Sequence, residues 1–205
     1  MRFRDARIEM ICATGKQIPA PTRPEVPIIG RSNVGKSSLV NALLGVKGLI
    51  RVSQEPGRTR EVIFLRAGEE GYLVDLPGYG FARVPLALKK SWGALVEAYL
   101  ARRAPGLGLL LLDIRREGLS EGDRQMVEYF RHYGRPFAAV LTKADKVPRG
   151  KWGAAARAVA RELQMEQGER PLAVSSRTGE GIEELRKLVA RALLRPGEFE
   201  RGNDA

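Results

Sequence analysis

Residues 28–45 read IIGRSNVGKSSLVNALLG, and this stretch restricts the fold more than any other part of the chain. Gly30 and Gly35 bracket four residues, and Lys36 and Ser37 follow, matching the phosphate-loop pattern G-x-x-x-x-G-K-[ST]. The backbone of such a loop curls until its N–H groups converge on phosphate oxygens. The helix that follows adds its positive N-terminal end. The loop must therefore sit between a strand and a helix, which commits the chain to an α/β fold. Gly30, Arg31, Ser32, Asn33, Val34, Gly35, Lys36, Ser37 and Ser38 are the phosphate-binding candidates. Lys36 supplies a cation to the β- and γ-phosphates, and Ser37 a hydroxyl to Mg²⁺.

The rest of the chain repeats the same alternation. Short apolar runs predict strands at Ile28–Ile29, Val62–Leu65, Tyr72–Val74, Leu109–Leu112, Phe137–Leu141 and Leu172–Val174. Helical patterns predict Lys36–Leu44, Leu86–Arg103, Glu121–Tyr133, Lys151–Gln164 and Ile182–Leu194. The link RAGEEG between the second and third strands reads as a hairpin, so the second strand is the antiparallel exception in a parallel sheet with helices on both faces. Pro27 conflicts with a central first strand, because proline cannot donate to a ladder and suits only a strand's first residues. Residues 1–24 read as a lead-in ending in a Pro-rich segment, 25–195 as one nucleotide-binding domain, and 196–205 as a tail.

A metal-bound phosphate needs more oxygen ligands than Ser37 provides. Asp75, at a predicted strand end in DLPGYG, is the natural acid, and Gly78 lets a backbone N–H approach the γ-phosphate. Thr59, in EPGRTRE beside Gly57, is the γ-phosphate sensor, with Ser53 as a weaker rival. The metal set is thus Ser37, Thr59 and Asp75, and the groups acting on the phosphates are Lys36, Thr59 and Gly78. Later, Thr142, Lys143 and Asp145 follow another strand. A carboxylate at Asp145 accepts from guanine N1–H and N2–H₂, a donor pair adenine lacks. The Lys143 stem can lie along the base. The loop Ser175, Ser176, Arg177 brings a backbone N–H towards guanine O6. GTP and GDP are therefore the expected cofactors, with Mg²⁺.

Charge narrows the partners. The net charge is +11, and arginines alone outnumber the acids, which favours polyanions, although a solvated surface explains any single pair. Aromatic content is 6%, so contact to phosphates of folded RNA is expected over base stacking. Cys12 is the only cysteine, which excludes an internal disulfide and suits a reducing compartment. With one histidine, His132, a transition-metal site is not expected. No signal-peptide pattern or membrane-length apolar run occurs, so a cytoplasmic protein without membrane contact is expected.

Taken together, GRSNVGKSSLVNALLG, PGRTR, DLPGYGFARV, LLDIRREG…DRQMVEYF and LTKADK resemble the EngB/YihA/YsxC-type bacterial GTPases, across about residues 20–195. The resemblance implies a three-layer Ras-like P-loop G domain with a six-stranded sheet in the order 2-3-1-4-5-6. It implies a monomeric switch protein acting in assembly of the large ribosomal subunit, with ribosomal RNA and proteins as partners. It assigns Thr59 to the first switch, Asp75–Gly78 to the second, and Thr142–Asp145 with Ser175–Arg177 to the base. In some related GTPases an asparagine at the Asn33 position helps hold K⁺ near the phosphates; the alternative is that Asn33 suits the loop's backbone. Relatives often carry Gln where Arg60 stands, so Arg60 receives no catalytic role. Many GTPases orient the attacking water with a glutamine, and here the position holds Tyr79, read as a packing or partner-contacting residue. Slow intrinsic hydrolysis follows. An ATP-using P-loop enzyme, or an RNA-binding module with little catalysis, are the competing readings.

Overall fold

The computed structural model describes residues 3, 5–50, 61–80, 86–166 and 169–199. The strands are β1 (Arg7–Cys12), β2 (Glu25–Gly30), β3 (Val62–Ala67), β4 (Gly71–Asp75), β5 (Gly108–Asp113), β6 (Phe137–Thr142) and β7 (Leu172–Ala173). The α-helices are α1 (Lys36–Leu44), α2 (Leu86–Arg102), α3 (Glu121–His132), α4 (Trp152–Glu162) and α5 (Ile182–Leu194). The strands form one seven-stranded sheet, β1-β3-β4-β2-β5-β6-β7. β3 runs antiparallel to β1 and β4, and the remaining pairings are parallel.

The expected order of six strands is present, from β3 through β7, and the count is corrected to seven by an added edge. β1 lies in the segment read as a lead-in and pairs with β3 from Arg7↔Arg66 to Cys12↔Val62. Phe3, just before it, is 4% exposed and packs in the core. Beyond α5, Phe199 also packs against that core.

Alternation along each strand divides the interior into two layers. Val26 and Ile28 of β2, and Leu109 and Leu111 of β5, face α1 and α5. Ile29, Leu110 and Leu112 face α2, α3 and α4. Side chains two residues apart share a face, so each fully buried strand feeds both layers.

Pro27 is the third of six residues in central β2. The carbonyls of Pro24 and Ile28 accept from Tyr72 and Leu76, so even-numbered residues here turn their peptide groups towards β4. The missing N–H of Pro27 faces the β5 side, where paired residues begin only at Ile28↔Leu109. No ladder donor is lost, and a proline inside a central strand is tolerated.

Glycines place the two loops that matter most. α1 starts after Gly35 at φ 103° and ends at Gly45 at φ 71°. A Cβ on Gly30 would lie 2.9 Å from Leu111 and Val34 atoms, so only glycine lets the loop leave β2 against β5.

Candidate functional site

The C-terminal ends of β2, β4, β5, β6 and β7 converge on one edge of the sheet, the position where open α/β sheets carry ligands. The loop from Gly30 to Lys36 crosses this edge. Asn33 sits at φ 60° and its carbonyl points back into the protein, so the backbone geometry accounts for an asparagine here. Its side chain is exposed.

Lys36 and Ser37 open α1. Lys36 Nζ forms an ion pair with Asp75 Oδ1, the last residue of β4. Asp75 is fully buried, and its other oxygen, Oδ2, has no hydrogen-bond partner among the described residues. Burial pushes its carboxyl pKa up, and Lys36 opposes the rise. A buried carboxylate oxygen without a donor, one strand from the Ser37 hydroxyl, fits the chemistry of a hard divalent cation with oxygen ligands. Mg²⁺ is thus compatible with Ser37 and Asp75. Thr59 and Gly57 lie outside the described residues.

The segment read as the second switch begins where β4 ends. Tyr79 bridges Arg31, and its carbonyl accepts from Ser32 N at 2.8 Å. Gly78 is pressed against the phosphate loop: a Cβ there would stand 3.2 Å from Gly30 O. The Tyr79 side chain goes elsewhere. Its hydroxyl donates to Asp123 Oδ1 in α3 at 2.6 Å. Asp123 Oδ2 accepts from Ser120 N at 2.7 Å and Ser120 Oγ at 2.6 Å, closing the capping box of α3. Burial, then the Asp123 carboxylate, hold the Tyr79 phenol far above its ordinary pKa. The residue at the glutamine position is therefore a protonated strut to α3.

The residues expected to read the base lie at or just after the ends of β6 and β7. Thr142 is buried, and its hydroxyl faces Val34 O at 2.6 Å and Leu112 O at 3.1 Å. One hydroxyl proton serves one carbonyl at a time, so Thr142 braces the phosphate loop from behind. Lys143, at φ 58°, donates to Asn33 O at 2.6 Å and to Asp113 Oδ2 at 2.9 Å. Its Cε lies 3.8 Å from a Cβ position on Gly35, so the stem runs alongside the loop.

Asp145 accepts from Ser175 Oγ at 2.8 Å and from Arg177 Nε at 2.9 Å. The Ser175 hydroxyl is the largest cause, and Arg177 a further one, holding its carboxyl below the ordinary range. Ser175 N–H is consumed by Glu180 O at 2.9 Å. Among the described residues the Ser176 N–H makes no backbone hydrogen bond, so of the two serines it is the one able to meet a carbonyl oxygen of a base.

Two participants were invisible to sequence reasoning. Asp113, ending β5, holds Arg115 through both carboxylate oxygens at 2.9 and 2.7 Å, as well as Lys143. Burial raises its carboxyl pKa, but the Arg115 and Lys143 hydrogen bonds outweigh it and the net shift is strongly downward. The available signal was a buried run ending in Asp, as in β4. Asp123 was hidden in an ordinary helix start.

The family model described as "50S ribosome-binding GTPase" matches residues 25–143. A "Probable GTP-binding protein EngB" of Clostridioides difficile is 41% identical over 186 residues, spanning 90% of this chain and 91% of that protein. A crystal structure of a probable GTP-binding protein engB superposes with a TM-score of 0.69 at 22% identity, covering 82% of this chain and 98% of that one. Era, solved with MgGDPNP and a piece of 16S ribosomal RNA, gives 0.67 at 24% identity, covering 82% and 56%.

Proposed function

The chain belongs to the EngB family of 50S ribosome-binding GTPases, and from that premise we propose that it is a GTP/GDP switch with slow intrinsic hydrolysis, acting in assembly of the large ribosomal subunit. The observation that carries the slow rate is the Tyr79–Asp123 hydrogen bond at 2.6 Å. It commits the hydroxyl at the glutamine position to an α3 carboxylate, so a partner is needed to complete the site.

In this reading the N–H groups of Asn33 and of Gly35 to Ser38 and the Lys36 ammonium hold the phosphates, while those of Ser32 and Val34 shape the loop through Tyr79 O and Arg31 O. Ser37, Thr59 and Asp75 would hold Mg²⁺, which supplies charge neutralisation on the β- and γ-phosphate oxygens. Gly78 N–H senses the γ-phosphate. Asp145 selects guanine, Lys143 and Arg177 flank the base, and Ser176 N–H meets O6. Asn33 is a candidate K⁺ ligand; equal GTP turnover in K⁺ and Na⁺ salts would remove that role.

Two lines support an RNA-rich partner: the net charge of +11, and the fold neighbour Era, whose ligands are MgGDPNP and ribosomal RNA. No described helix is long and apolar enough to cross a membrane. Co-sedimentation with purified ribosomal subunits at moderate salt tests the proposal. Migration with the large subunit in the GTP-analogue form, and not with GDP, is expected. No migration in either form would remove the ribosome from the reading while leaving the GTPase intact.

A further inference from the structure

We propose that α4 and its approach, residues 146–161, together with Arg116 on the loop facing it, form the surface that receives the sugar–phosphate backbone of folded ribosomal RNA. The inference rests on the ribosomal role proposed above and adds the face and the chemistry of contact.

The positive charge is not uniformly available. Many arginines are turned inward to helix ends. Arg186 donates to Leu43 O and Ala42 O at the end of α1, both at 2.9 Å. Arg131 donates to Leu163 O at 2.6 Å, just past α4, and Arg135 to Leu100 O at 3.2 Å in α2. Arg102 donates to Gly15 O, and Arg103 is buried against Glu25. These residues satisfy orphan carbonyls or a buried acid and are not free to meet a partner's phosphates.

The segment 146–161 differs. It reads KVPRGKWGAAARAVAR, with five cations and no acid; Glu162, which ends α4 just after it, is held by Arg124 and the Leu119 N–H, and Lys146 and Arg149 lie within ion-pair reach of Asp145 and Glu180. The side chains of Lys151, Arg157 and Arg161 are exposed and make no hydrogen bond or ion pair among the described residues, and the same holds for Arg116. Elsewhere among the described residues, unengaged cations are single or follow acids, as Lys187 follows Glu183 and Glu184 on α5.

On the groove side of these cations the helix presents Ala154 and Ala158. Lys151, Ala154, Ala158 and Arg161 recur at helical spacing on one face, over about 15 Å of helix. A groove of about 680 Å³ separates this face from the loop bearing Arg116. Its acids Asp113 and Asp123 are already saturated by internal donors, which leaves Glu117 as the one unpaired acid in the lining. Alanines let a phosphate backbone approach the helix closely, and the flanking cations are long enough to reach its oxygens.

The occupant is argued from this charge and from the aromatic side chains. Trp152 turns its indole N–H inward to Val147 O at 3.0 Å, and Arg149 covers its ring at 5.8 Å. The face therefore offers no open ring for an unpaired base, which favours backbone contact to a folded helix over single-strand stacking.

The test uses the full chain loaded with GDP. The variant Arg116→Gln/Lys151→Gln/Arg157→Gln/Arg161→Gln is compared with Lys16→Gln/Lys47→Gln/Lys187→Gln/Arg195→Gln, which removes equal charge elsewhere. Circular dichroism and GDP affinity establish that both fold. The probes are purified large ribosomal subunits and a mixed-sequence RNA duplex, each titrated with salt. The α4 variant is expected to lose at least tenfold in affinity for both probes and to flatten the log–log salt dependence by about 3 to 4, with the control near wild type. Equal loss in the two variants, or none in the α4 variant, would overturn the surface. Loss for subunits with unchanged duplex binding would overturn the RNA occupant in favour of a protein. Wild-type binding to the duplex but not to subunits would defeat the ribosomal role alone, and the duplex comparison would still decide the surface. Absence of wild-type duplex binding overturns the proposal.

Discussion

Removing one oxygen, in Tyr79→Phe, separates a structural task for this residue from a catalytic one. The hydroxyl donates to Asp123 Oδ1 at 2.6 Å, and Asp123 is 4% exposed. The variant keeps the ring, which lies against Gly122 so closely that a Cβ there would be 2.7 Å from Tyr79 Cδ2. The lost energy is therefore that of a charge-assisted hydrogen bond to a buried carboxylate, about 1.5–3 kcal/mol. Oδ2 keeps both Ser120 donors, so the α3 cap survives. Burial and the Asp123 carboxylate keep the phenol protonated far above its ordinary pKa, so the loss stays constant from neutral to mildly alkaline pH. Urea unfolding of the GDP-loaded protein measures it, provided the m-value is unchanged. A double-mutant cycle with Asp123→Ala isolates the pair, and a coupling of about 1.5 kcal/mol or more is expected. GTP turnover should change by no more than about twofold, because the hydroxyl does not act at the water. A stability loss under about 0.5 kcal/mol with no coupling, or a turnover loss of about a hundredfold, would refute the strut.

Other outcomes follow from the same geometry. Lys36→Ala should weaken GDP binding by about two orders of magnitude in a fluorescence titration and also destabilise the fold by leaving Asp75 uncompensated; adding Asp75→Asn should restore stability but not binding. Arg103→Met strands Glu25, 5% exposed, and should cost about 3–5 kcal/mol in denaturant unfolding, whereas replacing Glu25 with Gln as well should recover most of it. Burial raises the Glu25 carboxyl pKa, so the folded state holds that proton more tightly than the unfolded one. Its stability contribution is present below the unfolded value and is lost as pH rises through the folded one, and the loss in Arg103→Met should grow with pH. Asp113 and Asp145 have lowered folded values, so their contributions are present above the ordinary carboxylate pKa and are lost progressively as pH falls from there through the folded value; melting temperatures measured down an acid series should show this, and less so in Asp113→Asn.

Contiguous features of this site were legible in the sequence, and features made by side chains meeting across the fold were not. The loop from Gly30 to Ser38 carries its geometry in local residues, and the strands from β2 to β7 carry theirs in buried apolar runs. β1 escaped because five of its six residues are exposed and the pairing shifts register between Ile8 and Met10, which breaks the alternation of Ile8, Met10 and Ile11. Only its partner β3 makes it a strand. Thr142 reads as a base-contacting residue because it stands in a base-reading motif, yet its hydroxyl is turned to Val34, a neighbour no local pattern reveals. Pro27 looked like an obstacle because a linear pattern does not say which side of a strand a peptide group faces.

The bond from Thr142 to Val34 spans 108 residues, and that from Lys143 to Asn33 spans 110. Contacts this distant in sequence form only after the intervening strands have been ordered, because loop closure must be achieved before they contribute. During synthesis the phosphate-loop sequence emerges early, but the back wall that holds it in shape emerges with β6. A ribosome-bound fragment ending before residue 142 carries every glycine of the motif without its brace. Tight GDP binding by truncated chains is therefore expected only once the chain extends through β6.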